Sequence, residues 1–259
     1  MKMNDLLIVT GGSRGIGGNI VRECSVFFAT TIALSSSGSL PKDLNIMSGT
    51  KITALKQDLA NPKSVYDSIK GYIATAEKLE SIGIVLCAAQ LGSPGGLFSS
   101  DLQEWNNLFQ INLLGNLSVL KACDGPLFSR VKVRVVFLAG GGAAYGYPDF
   151  SGYALSKVAV VRAVENIAME FSSNHFDASI IALAPGAVST EMLEKVIAHG
   201  GLVKTKTDIS EPTTFVKKFL LDEIDSLGLN GRFIHVRDDL GNISRLNSNK
   251  DLLKLRRIE

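Results

Sequence analysis

The chain reads LLIVTGGSRGIGGNIV at residues 6–21, an apolar run followed by a glycine-rich turn and a second apolar pattern. The β-branched run at 6–10 predicts a buried strand, and the apolar spacing at 16–28 predicts a helix. Glycine lets the backbone turn tightly and approach a ligand, and the free N–H groups at a helix N-terminus attract anions. The stretch therefore predicts a binding site for a phosphate-bearing ligand between the first strand and the first helix.

A glycine-rich string alone is more often a turn than a binding site. Here it lies between a predicted strand and a predicted helix, which favours nucleotide binding. Its glycines have the spacing GxxxGxG instead of the commoner GxGxxG. The residues expected to line this phosphate site are Gly11, Ser13, Arg14, Gly15, Ile16 and Gly17.

Six further short apolar runs continue an alternation of strands and helices along the chain. We predict strands at 30–35, 51–55, 82–86, 131–138, 179–183 and 232–236, and helices at 62–79, 102–122, 153–172 and 211–226. Buried strands joined by helical crossovers predict a doubly wound α/β fold with a seven-stranded parallel sheet and helices on both faces. The loops at 90–100 and 139–152 follow strands, so they should lie at the carboxyl edge of the sheet, where ligands bind.

Length and composition predict one compact domain. A chain of 259 residues with 46% hydrophobic and 20% charged residues can bury a large core without disulfides or a structural metal. We therefore expect a single domain over residues 1–259, with the tail at 237–259 as a candidate subunit contact. The cysteines Cys24, Cys87 and Cys123 are widely spaced and odd in number, which suits buried thiols in a reducing compartment.

Charge and hydropathy argue against several function classes. The 27 Lys and Arg residues nearly balance the 25 Asp and Glu residues, and a net charge of +2 gives no electrostatic reason to bind nucleic acid or a membrane surface. No apolar run reaches the roughly 20 residues of a membrane helix, and no secretion signal is visible. We expect a soluble cytoplasmic protein. His175, His199 and His235 are scattered, so no metal site is expected.

Four shorter motifs follow the glycine-rich turn along the chain. They are the pair Asp58-Leu59, Asn112 in the helix predicted at 102–122, the YxxxK pattern of Tyr153 and Lys157, and the run Pro185-Gly186-Ala187-Val188-Ser189-Thr190. With the GxxxGxG string, these motifs give the chain a resemblance to the short-chain dehydrogenase/reductase family that extends to about Val236. A second YxxxK, from Tyr66 to Lys70, lies in the helix predicted at 62–79, where we expect Tyr66 to pack as an ordinary helix residue.

The resemblance implies an oxidoreductase that transfers a hydride between a nicotinamide cofactor and a carbonyl or secondary alcohol substrate. It implies that Tyr153 acts as general acid or base, that Lys157 adjusts its pKa and anchors the cofactor ribose, and that Asn112 supports a proton relay. Residues four apart share a helix face, and an adjacent cation favours phenolate, so Lys157 should lower the pKa of Tyr153. Alternatively, Asn112 satisfies backbone groups at a helix irregularity.

The resemblance also implies where the rest of the cofactor binds. The pair of residues that lines the family's adenine pocket is matched in this sequence by Asp58 and Leu59. The residues on the nicotinamide side of the cleft are Ala88, Pro185, Gly186, Val188 and Thr190. The segment 190–206 should form a mobile flap over the substrate, and a homodimer or homotetramer is expected.

Cofactor choice can be predicted from the end of the second strand. An acidic residue there would bind the ribose hydroxyls of NAD and repel the 2′-phosphate of NADP. This strand ends in serines instead, and Ser35 and Ser36 together with Arg14 offer hydroxyl groups and a guanidinium suited to a phosphate. We therefore expect NADP(H) as the favoured cofactor and NAD(H) as the alternative.

The sequence departs from the family beside the predicted catalytic pair. The family places a serine 13 residues before the tyrosine, where its hydroxyl polarises the substrate carbonyl, and this position is Gly140 here. Losing one such donor can cost about 3–4 kcal/mol of transition-state stabilisation. A substitute donor such as Tyr145 or Ser151, or a carbonyl polarised in another way, would preserve catalysis.

A protein that binds a dinucleotide without efficient catalysis, as a sensor or structural partner, is the alternative function. A sugar-nucleotide epimerase is a further alternative, but 259 residues leave little room for its extra substrate domain. The asparagine pair that the family carries after its fourth strand is also replaced, by Leu86 and Cys87. Because that pair mainly stabilises the sheet, its loss changes the functional prediction little.

Overall fold

The structure is a computed structural model that describes residues 4–44, 49–76, 78–201, 203, 205–240 and 253–255. The strands are β1 (Asn4–Thr10), β2 (Phe28–Ser35), β3 (Lys51–Lys56), β4 (Ser81–Leu86), β5 (Lys132–Leu138), β6 (Ala178–Ala184), β7 (Ala187–Val188), β8 (Lys206–Thr207) and β9 (Phe233–His235). The helices are α1 (Gly15–Cys24), α2 (Pro62–Thr75), α3 (Leu102–Phe109), α4 (Asn116–Ala122), α5 (Gly125–Phe128), α6 (Ser151–Ser173), α7 (Glu191–Ala198) and α8 (Ser210–Leu220).

Seven of these strands form one parallel sheet in the order β3-β2-β1-β4-β5-β6-β9. The chain runs outward from β1 to β3 on one side and then places β4 on the other side of β1. Ligand crevices in such sheets form outside the carboxyl ends of the strands where the strand order reverses. The predicted doubly wound α/β fold is confirmed, and its crevice is expected between the ends of β1 and β4.

Helices cover both faces of the sheet. One apolar cluster joins a face of the strands to α2, α4 and α6, and a second cluster joins the opposite face to α1 and α8. The strands β1, β5 and β6 are almost wholly buried, as their continuous apolar sequences predict. None of the described helices combines the length and the apolar character needed to span a bilayer.

Two predicted helices end earlier than their apolar spacing indicates. The first ends at Cys24 instead of residue 28, because Phe28 begins β2 and its side chain is buried in the core. The second ends at Thr75 instead of residue 79, because Ala76 has an extended backbone. Tertiary burial and local backbone geometry therefore set these ends, and helical periodicity does not.

Two further helices differ in continuity and length. The helix predicted at 102–122 has no break in its backbone, but its hydrogen bonding changes in the middle. A wider turn with π-type hydrogen bonds, at Gln110–Gly115, lies between α3 and α4. Such turns are frequent at functional sites. The last helix ends at Leu220 instead of residue 226, because Asp222 has a φ of +54° and its carboxylate accepts from the buried Arg134.

The predicted C-terminal tail lies mostly outside the described residues, at 241–252 and 256–259. Its described part packs against its own chain. The Phe233 N–H donates to the Leu253 carbonyl over 2.7 Å, and the Leu255 N–H donates to the buried Glu165 carboxylate over 2.7 Å. Residues 253–255 thus cover the outer edge of β9, and the subunit contact proposed for the rest of the tail stays a prediction.

Candidate active site

A buried hydrogen-bond network centred on Thr10 and Asn116 joins the carboxyl ends of β1 and β4. The Thr10 hydroxyl accepts from the N–H groups of Cys87 and Ala88 over 2.9 and 3.1 Å. It donates to the side-chain oxygen of Asn116 over 2.6 Å. The Asn116 amide donates in turn to the carbonyls of Ala88 and Ile111. Because Thr10 and Asn116 are fully buried, this network fixes the floor of the crevice.

The glycine-rich loop leads from β1 into the N-terminus of α1. Arg14 precedes the helix without a side-chain capping bond, and the first turn contains no acidic residue. At Gly15 the φ angle is +57°, and a Cβ there would meet only a methyl group of Thr190, at 3.8 Å. No side chain of the Ncap residue and no carboxylate of the first turn therefore competes with an anion. The loop fits the pyrophosphate of a nicotinamide cofactor.

The predicted nicotinamide-side residues follow β6. At Gly186 the φ angle is +75°, and a Cβ there would lie 2.1 Å from the Thr207 hydroxyl, so the turn packs directly on β8. Val188 is buried in β7, which pairs with β8. The hydroxyl of Thr190 caps α7 by accepting from the Leu193 N–H. The segment predicted as a flap thus contains α7, while residues 202 and 204 lie outside the described ranges.

Tyr153 and Lys157 lie one turn apart on α6. The Lys157 side chain is 2% exposed, and its ammonium donates to the Leu138 carbonyl at the end of β5 over 2.8 Å. The same nitrogen lies 5.7 Å from the centre of the Tyr153 ring. The structure therefore brings the predicted pair together at the carboxyl end of a central strand.

The expected effect of Lys157 on Tyr153 is wrong for this structure. Burial raises the pKa of Tyr153 well above its ordinary value, and negative charge on Tyr147 or Cys87 would raise it further. Burial also lowers the pKa of Lys157 to about 8, because a buried ammonium loses its hydration. The ammonium is directed at the Leu138 carbonyl, so desolvation outweighs its attraction for a phenolate.

Asn112 lies fully buried in the turn at Gln110–Gly115. Its side chain accepts from the Gln90 N–H over 2.7 Å and donates to the Gln90 carbonyl over 2.9 Å. It also donates to the hydroxyl of Ser156, on α6, over 3.0 Å. These bonds agree with the alternative that Asn112 satisfies polar groups at a helix irregularity, and its part in a proton relay stays a prediction.

Gly140 lies beside the hydroxyl of Tyr153, where the family carries its serine. A Cβ at this position would lie 3.2 Å from that hydroxyl oxygen, and the φ angle of 166° is extended backbone that any residue adopts. Neither expected substitute donor is held there. Tyr145 is 80% exposed, and the Ser151 hydroxyl donates to the Pro148 carbonyl over 3.0 Å. These positions give neither substitute any support, and both stay predictions.

The predicted adenine and ribose contacts lie at the ends of β2 and β3. The Ser35 hydroxyl accepts from the N–H three residues on over 3.1 Å, while Ser36 is exposed. The Asp58 carboxylate accepts from the Ala60 N–H over 2.9 Å. Leu59 is 5% exposed and packs in the core, so its side chain is not available to a ligand.

Arg14 forms an ion pair with Glu191 at the start of α7. Both side chains are mostly exposed, and the pair joins the glycine-rich loop to the flap helix. One guanidinium nitrogen of Arg14 is bonded to Glu191, so this carboxylate competes with a 2′-phosphate for the side chain.

Sequence reasoning missed the roles of Asn116 and Cys87. Asn116 follows Asn112 by four residues in an otherwise apolar helix, and a buried amide needs partners, so the repeat of asparagine was an available signal. The Cys87 thiol lies near the Gly17 N–H and the Lys157 ammonium, and burial raises its pKa to about 11. No sequence signal indicates that contact, because it depends on how the loop folds over β4.

The second YxxxK is an ordinary helix motif, as predicted. Tyr66 packs against the apolar core, and Lys70 forms an ion pair with Asp124. Over the part of the chain that the structure describes, no group of His, Cys, Asp and Glu side chains could hold a metal ion.

The sequence of this chain is similar to those of known oxidoreductases. Residues 5–200 match the family described as short chain dehydrogenase. The benzil reductase ((S)-benzoin forming) IRC24 of Saccharomyces cerevisiae is 25% identical, over 92% of this chain and 97% of its own. An uncharacterized oxidoreductase of the same yeast, YKL071W, is 30% identical, over 74% of this chain and 77% of its own.

Solved structures share the fold. A short-chain dehydrogenase from Shigella flexneri in complex with NADP has a TM-score of 0.75 at 19% identity, covering 91% of this chain and 98% of its own. The family binds a nicotinamide cofactor, and the glycine-rich loop of this chain fits one. Since the family match covers three quarters of the sequence, the chain belongs to the short-chain dehydrogenase/reductase family of oxidoreductases.

Proposed function

We propose that this enzyme transfers a hydride between NADP(H) and a carbonyl or secondary alcohol substrate, and that residues 1–259 act as one domain. The observation that carries the proposal is the pairing of Tyr153 with the buried ammonium of Lys157 at the carboxyl edge of the sheet. The relative IRC24 is named a benzil reductase, which supports carbonyl reduction. Gly140 removes one hydrogen-bond donor but leaves the pair of Tyr153 and Lys157 in place. It does not by itself favour the alternative, a dinucleotide-binding protein without efficient catalysis.

Tyr153 is the proposed general acid in the direction of carbonyl reduction. When bound, the nicotinamide cofactor supplies the hydride. Burial raises the pKa of Tyr153, so the phenol keeps its proton at neutral pH and can pass it to the substrate oxygen. Lys157 stabilises the phenolate that remains and anchors the cofactor ribose. Asn112, through Ser156, holds α6 in place and supports the return of a proton.

The proposed cofactor site extends along the whole crevice. Its pyrophosphate side consists of Gly11, Ser13, Arg14, Gly15, Ile16 and Gly17. Its adenine and ribose side consists of Ser35, Ser36, Asp58 and Leu59, the last through its backbone. Its nicotinamide side consists of Ala88, Pro185, Gly186, Val188 and Thr190. The absence of a carboxylate at the end of β2 supports NADP(H), with NAD(H) as the alternative.

The flap helix supports an apolar substrate. No residue of α7 is buried, so Met192, Leu193 and Val196 are only partly covered by their own chain. An aromatic diketone such as benzil is therefore the first substrate to test. A homodimer or homotetramer and a cytoplasmic location remain predictions.

Replacing Tyr153 by Phe tests the proposed acid. The variant should lose carbonyl reduction by about 10²–10⁴-fold, because it removes the phenol that is proposed to donate the proton, while NADPH affinity stays nearly unchanged. NADPH oxidation by absorbance and NADPH binding by fluorescence measure the two quantities. Tyr66→Phe, in the second YxxxK, is the matched control and should keep full activity. Retained turnover in Tyr153→Phe would exclude the proposed acid, and a wild-type protein that binds NADPH but reduces no carbonyl would favour the dinucleotide-binding alternative.

The ion pair between Arg14 and Glu191 provides a test of cofactor choice. Arg14→Gln should weaken NADPH binding about fivefold or more and leave NADH binding almost unchanged, since only NADPH carries the 2′-phosphate. Glu191→Gln should tighten NADPH binding by up to about fivefold, because the carboxylate no longer competes for the guanidinium. Equilibrium binding of both cofactors at low salt measures these changes. Equal effects of Arg14→Gln on NADPH and NADH would contradict the assignment of this residue to the phosphate.

The buried ammonium of Lys157 predicts a pH dependence of stability. Its pKa is about 8 in the folded chain and 10.5 in the unfolded chain, so the folded state releases the proton first. As pH rises from about 8 to 10.5, the free energy of unfolding of wild type should therefore increase relative to that of Lys157→Met, by up to about 3 kcal/mol. Urea unfolding of the cofactor-free proteins measures the difference. In the control Lys70→Met, the difference in unfolding free energy from wild type should stay nearly constant over this pH range. Bonding to Asp124 raises the pKa of Lys70, so the folded chain keeps this proton. A Lys157→Met difference that does not change with pH would contradict the buried charge.

A further inference from the structure

The substrate oxygen lacks one hydrogen-bond donor at the position of Gly140. A carbonyl that accepts a hydride develops negative charge on oxygen, and a second donor beside Tyr153 would stabilise that charge. Gly140 lies next to the Tyr153 hydroxyl but has no side chain. A donor must therefore come from another residue near the start of α6.

The loop after β5 folds back onto the start of α6. The Ala143 N–H donates to the Gly140 carbonyl over 3.0 Å, which closes a tight turn. The next glycine, Gly142, packs so closely on α6 that a Cβ there would lie 3.2 Å from the Cα of Ala154. The same Cβ would lie 3.8 Å from the ring of Tyr147. Tyr147 thus lies beside a turn that contacts the residue next to Tyr153.

The ring of Tyr147 is held by aromatic packing. Its centre lies 5.3 Å from the ring centre of Phe150, a buried residue whose N–H donates to the Tyr147 carbonyl over 3.1 Å. The edge of Phe150 contacts His199, after the flap helix, at 6.2 Å between ring centres. Phe150 thus links the ring of Tyr147 to His199, at the end of the flap helix.

The two phenols lie within electrostatic reach of each other. After burial, which is the larger cause, a negative charge on Tyr147 is the next contribution that raises the pKa of Tyr153. Burial and the charge of Asp149 raise the pKa of Tyr147 itself, so its hydroxyl keeps its proton at neutral pH. A protonated phenol can donate a hydrogen bond, and a phenolate could not.

We propose that Tyr147 is the second hydrogen-bond donor to the substrate carbonyl oxygen, in the place of the missing side chain at Gly140. This inference rests on the proposed function and assigns one further catalytic residue to it. The cofactor hydride goes to the carbonyl carbon, the Tyr153 proton goes to the oxygen, and Tyr147 keeps its own proton throughout. Tyr145 and Ser151 do not compete for the role, because one is exposed and the other donates to Pro148.

Tyr147→Phe keeps the ring that packs on Phe150 and removes only the hydroxyl. We expect kcat for reduction of benzil by NADPH to fall at least about tenfold, with KM, NADPH affinity and melting temperature nearly unchanged. Tyr145→Phe, two residues away on the same loop, is the matched control and should behave as wild type. A Tyr147→Phe variant with wild-type kcat, or one whose loss follows reduced NADPH affinity, would overturn the proposal.

A second variant separates a missing donor from a disturbed loop. Gly140→Ser in the Tyr147→Phe background restores a hydroxyl beside Tyr153. The extended backbone at 140 suits any residue, and the serine Cβ would lie 3.2 Å from the Tyr153 hydroxyl oxygen, a close contact that requires a small shift of that side chain. We expect this double variant to recover most of the lost kcat. A double variant that binds NADPH normally but stays as slow as Tyr147→Phe would assign the loss to loop structure and overturn the proposal. If wild type itself binds NADPH and reduces no carbonyl, the proposed function fails. If wild type reduces carbonyls and Tyr147→Phe does so equally fast, the proposed function stands and only the role of Tyr147 is excluded.

Discussion

The crevice is built around one buried hydroxyl, that of Thr10. It accepts from two successive N–H groups after β4 and donates to Asn116, which begins α4 and bonds back to Ile111 in the wide turn at Gln110–Gly115. The ends of β1 and β4 and that turn therefore share a single buried point. Leaving a buried polar group without a partner costs about 1–3 kcal/mol. Each of the three segments is therefore held in the one arrangement that satisfies all of these groups. The floor of the crevice is therefore fixed by buried hydrogen bonds, while exposed Arg14 and Glu191 join the glycine-rich loop to α7 at the surface.

The same turn also positions the catalytic helix. Asn112 bonds to Ser156, the residue before Lys157, so α6 is tied to the crevice floor by a hydrogen bond as well as by apolar packing. Burial then biases both members of the proposed pair toward their neutral forms. The phenol of Tyr153 is kept protonated, which suits an acid. Burial lowers the pKa of Lys157 to about 8, while the bond that its ammonium donates to the Leu138 carbonyl stabilises the charged form. A protonated Tyr153 is the form that the proposed carbonyl reduction needs.

The strands and the glycine-rich loop were predictable because their signals are local. Continuous apolar runs identify buried parallel strands, and the spacing from Gly11 to Gly17 identifies a helix N-terminus that accepts phosphate. Helix ends were not predictable, since Phe28 ends α1 by tertiary burial and Asp222 lies beyond α8 through its bond to Arg134. The pairing of Tyr153 and Lys157 follows from i, i+4 spacing. The direction of the Tyr153 pKa shift does not, because desolvation depends on the packed environment.

The loop at 139–152 shows the same limit for side chains. Tyr145 and Tyr147 are two residues apart in an irregular segment, and the sequence suggested Tyr145 as a substitute donor but gave no signal for Tyr147. Hydride transfer to a carbonyl carbon is tested most directly by isotope transfer, using benzil and NADPH deuterated at the transferring carbon. We predict one deuterium on the carbinol carbon of the benzoin formed by the wild-type enzyme, measured by mass spectrometry. Benzoin without deuterium, or no product from a protein saturated with NADPH, would contradict this chemistry.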